Sequence, residues 1–190
     1  MKEYKVNEIF RSVQAEGANA GKSAVFVRFS GCNLDCKFCD TNHEPYRIMT
    51  GEQIDAEIDR LSDGNESVLV VFTGGEPTLQ LSDDEQLGKG HPTAMESNGI
   101  LNAPSWIQWV TISPKTKLTT QQLRRANEVK VLYGFFDDDY LISLIGIHSL
   151  LYVQPLERNG IMNVKDCVRF ITEHPEYKLS VQWHKIIGVR

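Results

Sequence analysis

Short apolar, β-branched runs recur along the chain, and most are followed at once by a polar cluster bearing glycine, serine or proline. The runs are Ala24 to Phe29, Val68 to Phe72, Thr93 to Glu96, Trp109 to Ile112, Glu128 to Leu132, Leu150 to Val153 and Lys178 to Val181. The clusters are Ser30-Gly31-Cys32, Thr73-Gly74-Gly75-Glu76-Pro77, Ser97-Asn98-Gly99, Ser113-Pro114-Lys115 and Gln154-Pro155. Amphipathic segments lie between several runs. Thr50 with Gln53 forms a capping box ahead of Ile54, Ile58 and Leu61, and Thr119 with Gln122 repeats it before Leu123 and Ala126. Asn163 is placed to cap a helix whose apolar stripe is Val164, Cys167, Val168 and Ile171. Strands alternating with helices imply a parallel sheet with right-handed crossovers. In such folds the carboxyl ends of the strands carry the active site, so the polar clusters are expected to share one pocket.

Length narrows the architecture. At 190 residues the chain is too short for a closed eight-stranded β/α barrel, which takes about 250 residues. About six β/α units fit an α/β fold that is an incomplete parallel barrel, one domain over residues 1–190. The stretch from Leu79 to Gly90 is short for a helix with its connections. Twenty basic against 25 acidic side chains give a net charge of -5, which argues against a nucleic-acid platform but allows a small anionic substrate. No apolar run reaches the length of a membrane span, and Met1-Lys2-Glu3-Tyr4 opens no signal segment, so a soluble cytoplasmic protein is expected. Three of the four cysteines crowd into eight residues, which in a cytosolic chain favours metal over disulfides.

Those three, Cys32, Cys36 and Cys39, have the spacing Cys-x3-Cys-x2-Cys in a loop after a strand. Soft thiolates suit an iron–sulfur cluster or zinc. Three thiolates on a four-iron cluster leave one iron open to a further ligand; a structural zinc would need a fourth donor, for which His43 is the candidate. Cys167 lies on an apolar helix stripe and reads as a buried, inert thiol.

With Phe38 just before the last cysteine and Thr73-Gly74-Gly75-Glu76-Pro77 after the next strand, the chain resembles the radical S-adenosylmethionine superfamily. Within it the chain is similar to the family of 7-carboxy-7-deazaguanine synthases, from Asn7 to the C-terminus. The likeness is carried by Ile9 to Gly17, Phe26 to Asn33, Cys39-Asp40-Thr41, Glu96 to Gly99, Ser113-Pro114-Lys115, Tyr152 to Pro155 and Gln182-Trp183-His184-Lys185. Ala15 stands where a glycine is usual. The resemblance implies a 4Fe–4S cluster on Cys32, Cys36 and Cys39 and a magnesium ion on Thr41. It implies S-adenosylmethionine held by Phe38, Cys39, Asp40, Gly75, Glu76, Ser97, Ser113, Pro114, Lys115 and Gln154. Substrate would meet Val13, Gln14, Ala15, Glu16, Arg28, Thr73 and the terminal carboxylate of Arg190, where some relatives end in proline.

The implied reaction converts 6-carboxy-5,6,7,8-tetrahydropterin to 7-carboxy-7-deazaguanine by hydrogen abstraction, ring contraction and loss of ammonia, a carbon–nitrogen lyase step toward queuosine-type bases. A flavodoxin or ferredoxin would deliver the electron, and the enzyme would be a homodimer. Two other readings remain: an activase that makes a glycyl radical on a partner protein, and a non-catalytic zinc or iron–sulfur module. Several residues also have plainer readings. Arg28 needs either a carboxylate partner or an anionic substrate. Gln14 and Glu16 could form a solvated turn, Glu76 could cap the following helix, Lys115 could be a surface cation, and His184 could be a packed core histidine.

Overall fold

The computed structural model describes residues 2–39, 41–158 and 160–189; Asp40 and Arg190, both named above as candidate contacts, lie outside the described residues. In chain order the strands are β1 (Glu3–Val13), β2 (Ser23–Phe29), β3 (Arg47–Thr50), β4 (Leu69–Gly74), β5 (Thr93–Ser97), β6 (Trp109–Ile112), β7 (Glu128–Tyr133), β8 (Leu151–Pro155), β9 (Glu157–Arg158), β10 (Ile161–Met162) and β11 (Tyr177–Leu179). The helices are α1 (Gly51–Ser62), α2 (Thr120–Leu123), α3 (Asp138–Leu144), α4 (Val164–Glu173) and α5 (Trp183–Ile187). Among the described residues nine strands form one sheet in the order β11-β8-β7-β6-β5-β4-β2-β1-β3. From β2 to β11 every neighbouring pair is parallel, while β1 runs antiparallel to both β2 and β3. A small antiparallel ribbon, β9 with β10, stands apart.

Successive side chains on a strand point to opposite faces. One face carries Val25, Val27, Phe29, Val70, Phe72, Met95, Val129, Val131 and Val153 into the main core, where Ile54 and Ile58 of α1, Leu141 and Leu144 of α3, and Cys167 and Phe170 of α4 meet them. On the other face Ala24, Phe26, Leu69, Val71 and Ala94 form a second apolar cluster with Phe10 and Trp109. Toward the carboxyl ends that inner face turns polar, with Arg28, Thr73, Glu96, Lys130 and Gln154 lining a cleft. An apolar floor beneath a polar rim is the layered interior of a β/α barrel, left open here along one side.

Both capping boxes form as the sequence implies, on α1 and on the single-turn α2. The short connection after β4 holds only a 3-10 turn, Pro77–Leu79, and buries Leu81 and Leu87 where a crossover helix would otherwise pack. Its backbone is tied down by Asp55, whose Oδ1 accepts from Gly88 N at 2.7 Å. α4 differs from expectation. Asn163 makes no cap bond; its side chain accepts from Leu156 N at 2.7 Å and donates to Tyr133 O at 3.0 Å, tying the β8 end to β7. Val168 is half exposed, and Phe170 fills the core instead.

β1 and β3 are the elements that the apolar runs do not reveal. In β1 a bulge at Asn7 interrupts the pairing with β2: Val6 stands opposite Phe29, and Glu8 opposite Arg28. Tyr4 and Val6 therefore face the core, and after the bulge Glu8 and Phe10 face the cleft side. The change of phase breaks the period-two signal that would otherwise mark a strand.

Candidate active site

A cleft of about 470 Å³ opens at the carboxyl ends of the parallel strands. Its wall gathers Cys32, Cys36, Phe38, Cys39 and Thr41 from the loop after β2, and Thr73, Gly75 and Glu76 from the end of β4. Ser97 at the end of β5, Ser113 and Lys115 after β6, Gln154 of β8, and Val13, Gln14, Ala15, Glu16 and Arg28 are the other residues singled out by sequence that line it. Pro114, between Ser113 and Lys115, is buried and lies behind the wall.

The cysteine loop is held against the Gly-Gly-Glu segment by backbone. Gly75 N donates to Phe29 O at 3.0 Å, and Glu76 N to Gly31 O at 2.9 Å. A Cβ on Gly75 would fall 1.8 Å from Gly31 O, so only glycine permits this approach. The three thiols of the loop are free of disulfides, Cys32 and Cys39 exposed and Cys36 half-buried. Burial raises the Cys36 thiol above its ordinary value, so metal loading must drive a proton off it. Cys39 N donates to Cys36 O at 2.9 Å, turning the chain back between the last two thiols. Among the described residues no group of His, Cys, Asp or Glu converges on a point able to hold a single metal ion. His43 has a buried Nδ1 without a partner, but it does not join the thiols around one centre. A structural zinc needs all its donors about 2.0–2.3 Å from one ion, whereas a four-iron cluster takes each thiolate at a separate corner. Three soft donors spread along one cleft-facing loop fit the cluster.

Glu76 is almost fully buried. Its Oε1 accepts from Thr78 N at 3.2 Å, Thr78 Oγ1 at 2.6 Å and Ser97 Oγ at 2.8 Å, and its Oε2 from Asn98 N at 2.8 Å. It thus does cap the turn that follows, while Oε2, with one donor, keeps room for another. Lys115 is not a surface cation: its Nζ donates to Ser113 O at 2.9 Å and Ser113 Oγ at 2.7 Å. Burial, with Lys130 nearby, pushes its ammonium down to about 8.

Gln14 is only 6 % exposed, which removes the solvated-turn reading. Its Oε1 accepts from Ala15 N and Glu16 N at 2.8 and 3.1 Å, and its Nε2 donates to Glu96 Oε1 at 3.2 Å. Thr73 Oγ1 donates to the other Glu96 oxygen at 2.9 Å. Arg28 has the carboxylate partner that its strand position required: its Nε stands 2.8 Å from Glu8 Oε1, aligned by the β1 bulge. His184 lies on α5 with partial exposure and faces the cleft, not the core. Cys167 is wholly buried, and burial pushes its thiol up to about 12, which keeps it inert.

Glu96 enters the sequence reading only as part of a motif, and Lys130 is missed there. Lys130 Nζ, buried on β7, is ion-paired with Glu16, and Gln182 Nε2 donates to the same carboxylate at 2.8 Å. The signal was present: Glu128 and Lys130 alternate with Val129 and Val131, so one face of a buried strand is charged.

A mostly parallel half-barrel with a three-cysteine loop and a glycine cradle at its carboxyl rim defines the class, and the family model of the Radical SAM superfamily matches residues 26–131. The fold is that of the crystal structure of QueE from Escherichia coli, at a TM-score of 0.72 and 24% identity, covering 95% of this chain and 94% of that one. A 7-carboxy-7-deazaguanine synthase from Bacteroides thetaiotaomicron is 41% identical over 194 residues, 98% of either chain. Another of that name from Bradyrhizobium diazoefficiens is 33% identical over 213 residues, covering 98% of this chain and 99% of its own. The chain belongs to the 7-carboxy-7-deazaguanine synthase family of the radical SAM superfamily.

Proposed function

We propose that the protein converts 6-carboxy-5,6,7,8-tetrahydropterin to 7-carboxy-7-deazaguanine with loss of ammonia, a carbon–nitrogen lyase reaction of queuosine-type biosynthesis. The observation that carries this reading is the convergence of the cysteine loop, the glycine cradle and the Gln14–Glu16 segment on one cleft in a member of this family. A bound four-iron cluster with S-adenosylmethionine supplies one-electron chemistry that generates a carbon radical. The chain's own residues do the rest. Cys32, Cys36 and Cys39 would hold the cluster. Phe38, Gly75, Glu76, Ser97, the Ser113 to Lys115 turn and Gln154 would hold S-adenosylmethionine, Glu76 taking its ammonium on Oε2. Gln14, Glu16, Arg28 and Thr73 would orient the pterin, with Val13 and Ala15 bounding it. The apolar floor of Phe10, Phe26 and Val71 keeps water from beneath it.

Thr41, on the cleft wall two residues beyond Cys39, would complete a magnesium shell with substrate oxygens. A homodimer, a flavodoxin or ferredoxin as electron donor, and a cytoplasmic setting belong to the same reading. Among the described residues no helix is long and apolar enough to cross a membrane.

Anaerobic reconstitution with iron and sulfide, followed by dithionite, S-adenosylmethionine and the carboxypterin, tests it. The expected products are 5′-deoxyadenosine and 7-carboxy-7-deazaguanine by mass spectrometry, with turnover falling when magnesium is chelated. Deoxyadenosine without any deazapurine would refute the synthase reading and turn attention to the activase. A protein that takes up zinc and no iron would refute both.

A further inference from the structure

The segment between β1 and β2 crosses the interior of the open barrel and is fastened on several sides. Gly17 N donates to Ser180 Oγ at 3.0 Å, Ala18 N to Glu128 Oε2 at 2.8 Å, and Gln14 holds the two backbone amides that follow it. The backbone that carries Glu16 is therefore fixed without help from the Glu16 side chain. The carboxylate itself faces the cleft and has Lys130 and Gln182 as its bonded partners. Nothing about forming the sheet requires a lysine in the inner face of β7, where burying a lone ammonium is costly. Its placement is explained by what it does to Glu16.

We propose that Lys130 is a positioning residue, which from β7 fixes Glu16 as an oriented carboxylate in the cleft wall and so selects ligands that present N–H donors at that point. The inference rests on the pterin reading above, whose aminopyrimidinone edge has such donors, but it concerns a residue outside the cofactor and substrate contacts assigned there. Among the described residues, the charged and titratable groups around the Glu16–Lys130 pair are few. Glu128, on the same strand as Lys130, comes from β7, Glu96 from β5, Lys115 from the turn after β6, and His184 from α5. Burial alone would push the Glu16 carboxyl up; Lys130 in contact, the Gln182 hydrogen bond and the more distant His184 outweigh it and hold it low. Burial alone would likewise pull Lys130 down, and Glu16 and Glu96 outweigh that. Without the lysine, the bonded donor that remains among the described residues is the neutral amide of Gln182. Glu16 would then take up a proton near neutrality and present a hydroxyl donor in place of an acceptor.

Carbon-13 NMR of labelled glutamate carboxyls, with Glu16→Gln to assign the signal, reads this directly in the full-length protein. Glu16 should show no titration between about pH 5.5 and 8.5 in the wild type, well above the ordinary carboxyl value. In Lys130→Met it should titrate inside that window, and Lys130→Arg, which keeps the cation, should restore the flat response. In the reconstituted enzyme, KM for the carboxypterin in Lys130→Met should rise by up to about tenfold per unit of falling pH, with kcat changing less; wild type and Lys130→Arg should lack that slope. A Glu16 signal that titrates in the wild type within the window overturns the proposal, and so does a flat signal or a pH-independent KM in Lys130→Met. If Lys130→Met does not fold, Lys130→Gln, which also removes the cation, takes its place in the same titration and is judged by the same outcomes. If the wild type makes no deazapurine while the NMR arms behave as stated, the substrate reading falls and the role of Lys130 toward Glu16 stands.

Discussion

Gly75 joins the two halves of the candidate site at a single atom. The Cβ that alanine would add falls 1.8 Å from a backbone oxygen and 2.5 Å from its carbon, so no side-chain rotation can relieve it. Strand β4 and the start of the cysteine loop would have to separate, at the expense of the bond from Glu76 N to Gly31 O. Gly75→Ala should lower stability by about 1–3 kcal/mol, the usual cost of forced overpacking, and should lower the iron retained after reconstitution. Urea unfolding and iron analysis on the same sample measure both. An alanine variant with unchanged midpoint and full iron would show that the close approach is not needed. This position was legible beforehand, because a glycine pair after a strand and before a carboxylate is a local pattern. The partner it must avoid, Gly31 O, was not, since that atom lies across a parallel pair of strands.

At the scale of the element, β1 shows how one residue sets a site. The bulge at Asn7 moves Glu8 opposite Arg28 while leaving Tyr4 and Val6 wholly buried on the core face. Were Asn7 paired instead of bulged, Glu8 would turn into the core opposite Val27. Deleting Asn7 should instead leave a regular ladder, with Val6 still opposite Phe29 and Glu8 opposite Arg28, at the expense of the bond from Asn7 Nδ2 to Pro45 O. Deleting Lys5 makes Tyr4 and Val6 adjacent, so that one of two wholly buried side chains must leave the core. The Lys5 deletion should destabilise the protein by about 3 kcal/mol or more, and the Asn7 deletion by only about 1 kcal/mol; thermal unfolding of the two variants side by side checks this. The parallel strands and α1 were readable because their signals are periodic and their caps are local. β1 was not, because its bulge resets the period midway. α4 was readable in position and in part of its buried face, since Cys167 and Ile171 do pack inward, but Phe170 takes the place expected of Val168, and Asn163 spends its side chain on neighbouring strands.

Across the whole molecule, Glu16 and Lys130 link the loop after β1 to the far side of the barrel, 114 residues along the chain. Glu16 is held below its ordinary value by Lys130, so its stabilising share is complete above about pH 4.3, the unfolded value, and drains away as pH falls. Lys130 is held above its ordinary value, so its share is complete below about pH 10.4 and is lost as pH rises beyond. The gap in urea stability between wild type and a Glu16→Gln/Lys130→Met double variant should therefore stay constant from about pH 5.5 to 7, change near pH 8, where Lys115 titrates under the influence of both members of the pair, and change again on the acid flank. A gap that varies between about pH 5.5 and 7 would mean that another group titrates with the pair.

The sequence by itself determined the incomplete parallel barrel, the cysteine loop and the polar clusters at the strand ends. Each of these is written in the spacing of residues near one another, where chain connectivity already fixes who the neighbours are. Only the tertiary structure decided that Glu8 meets Arg28, that Glu76 is shared among Thr78, Ser97 and Asn98, and that Lys130 pairs with Glu16. Those pairings depend on register across the sheet and on which charges the closed interior forces together. A buried charge must find its counterion within reach, and only the folded chain settles which one that is.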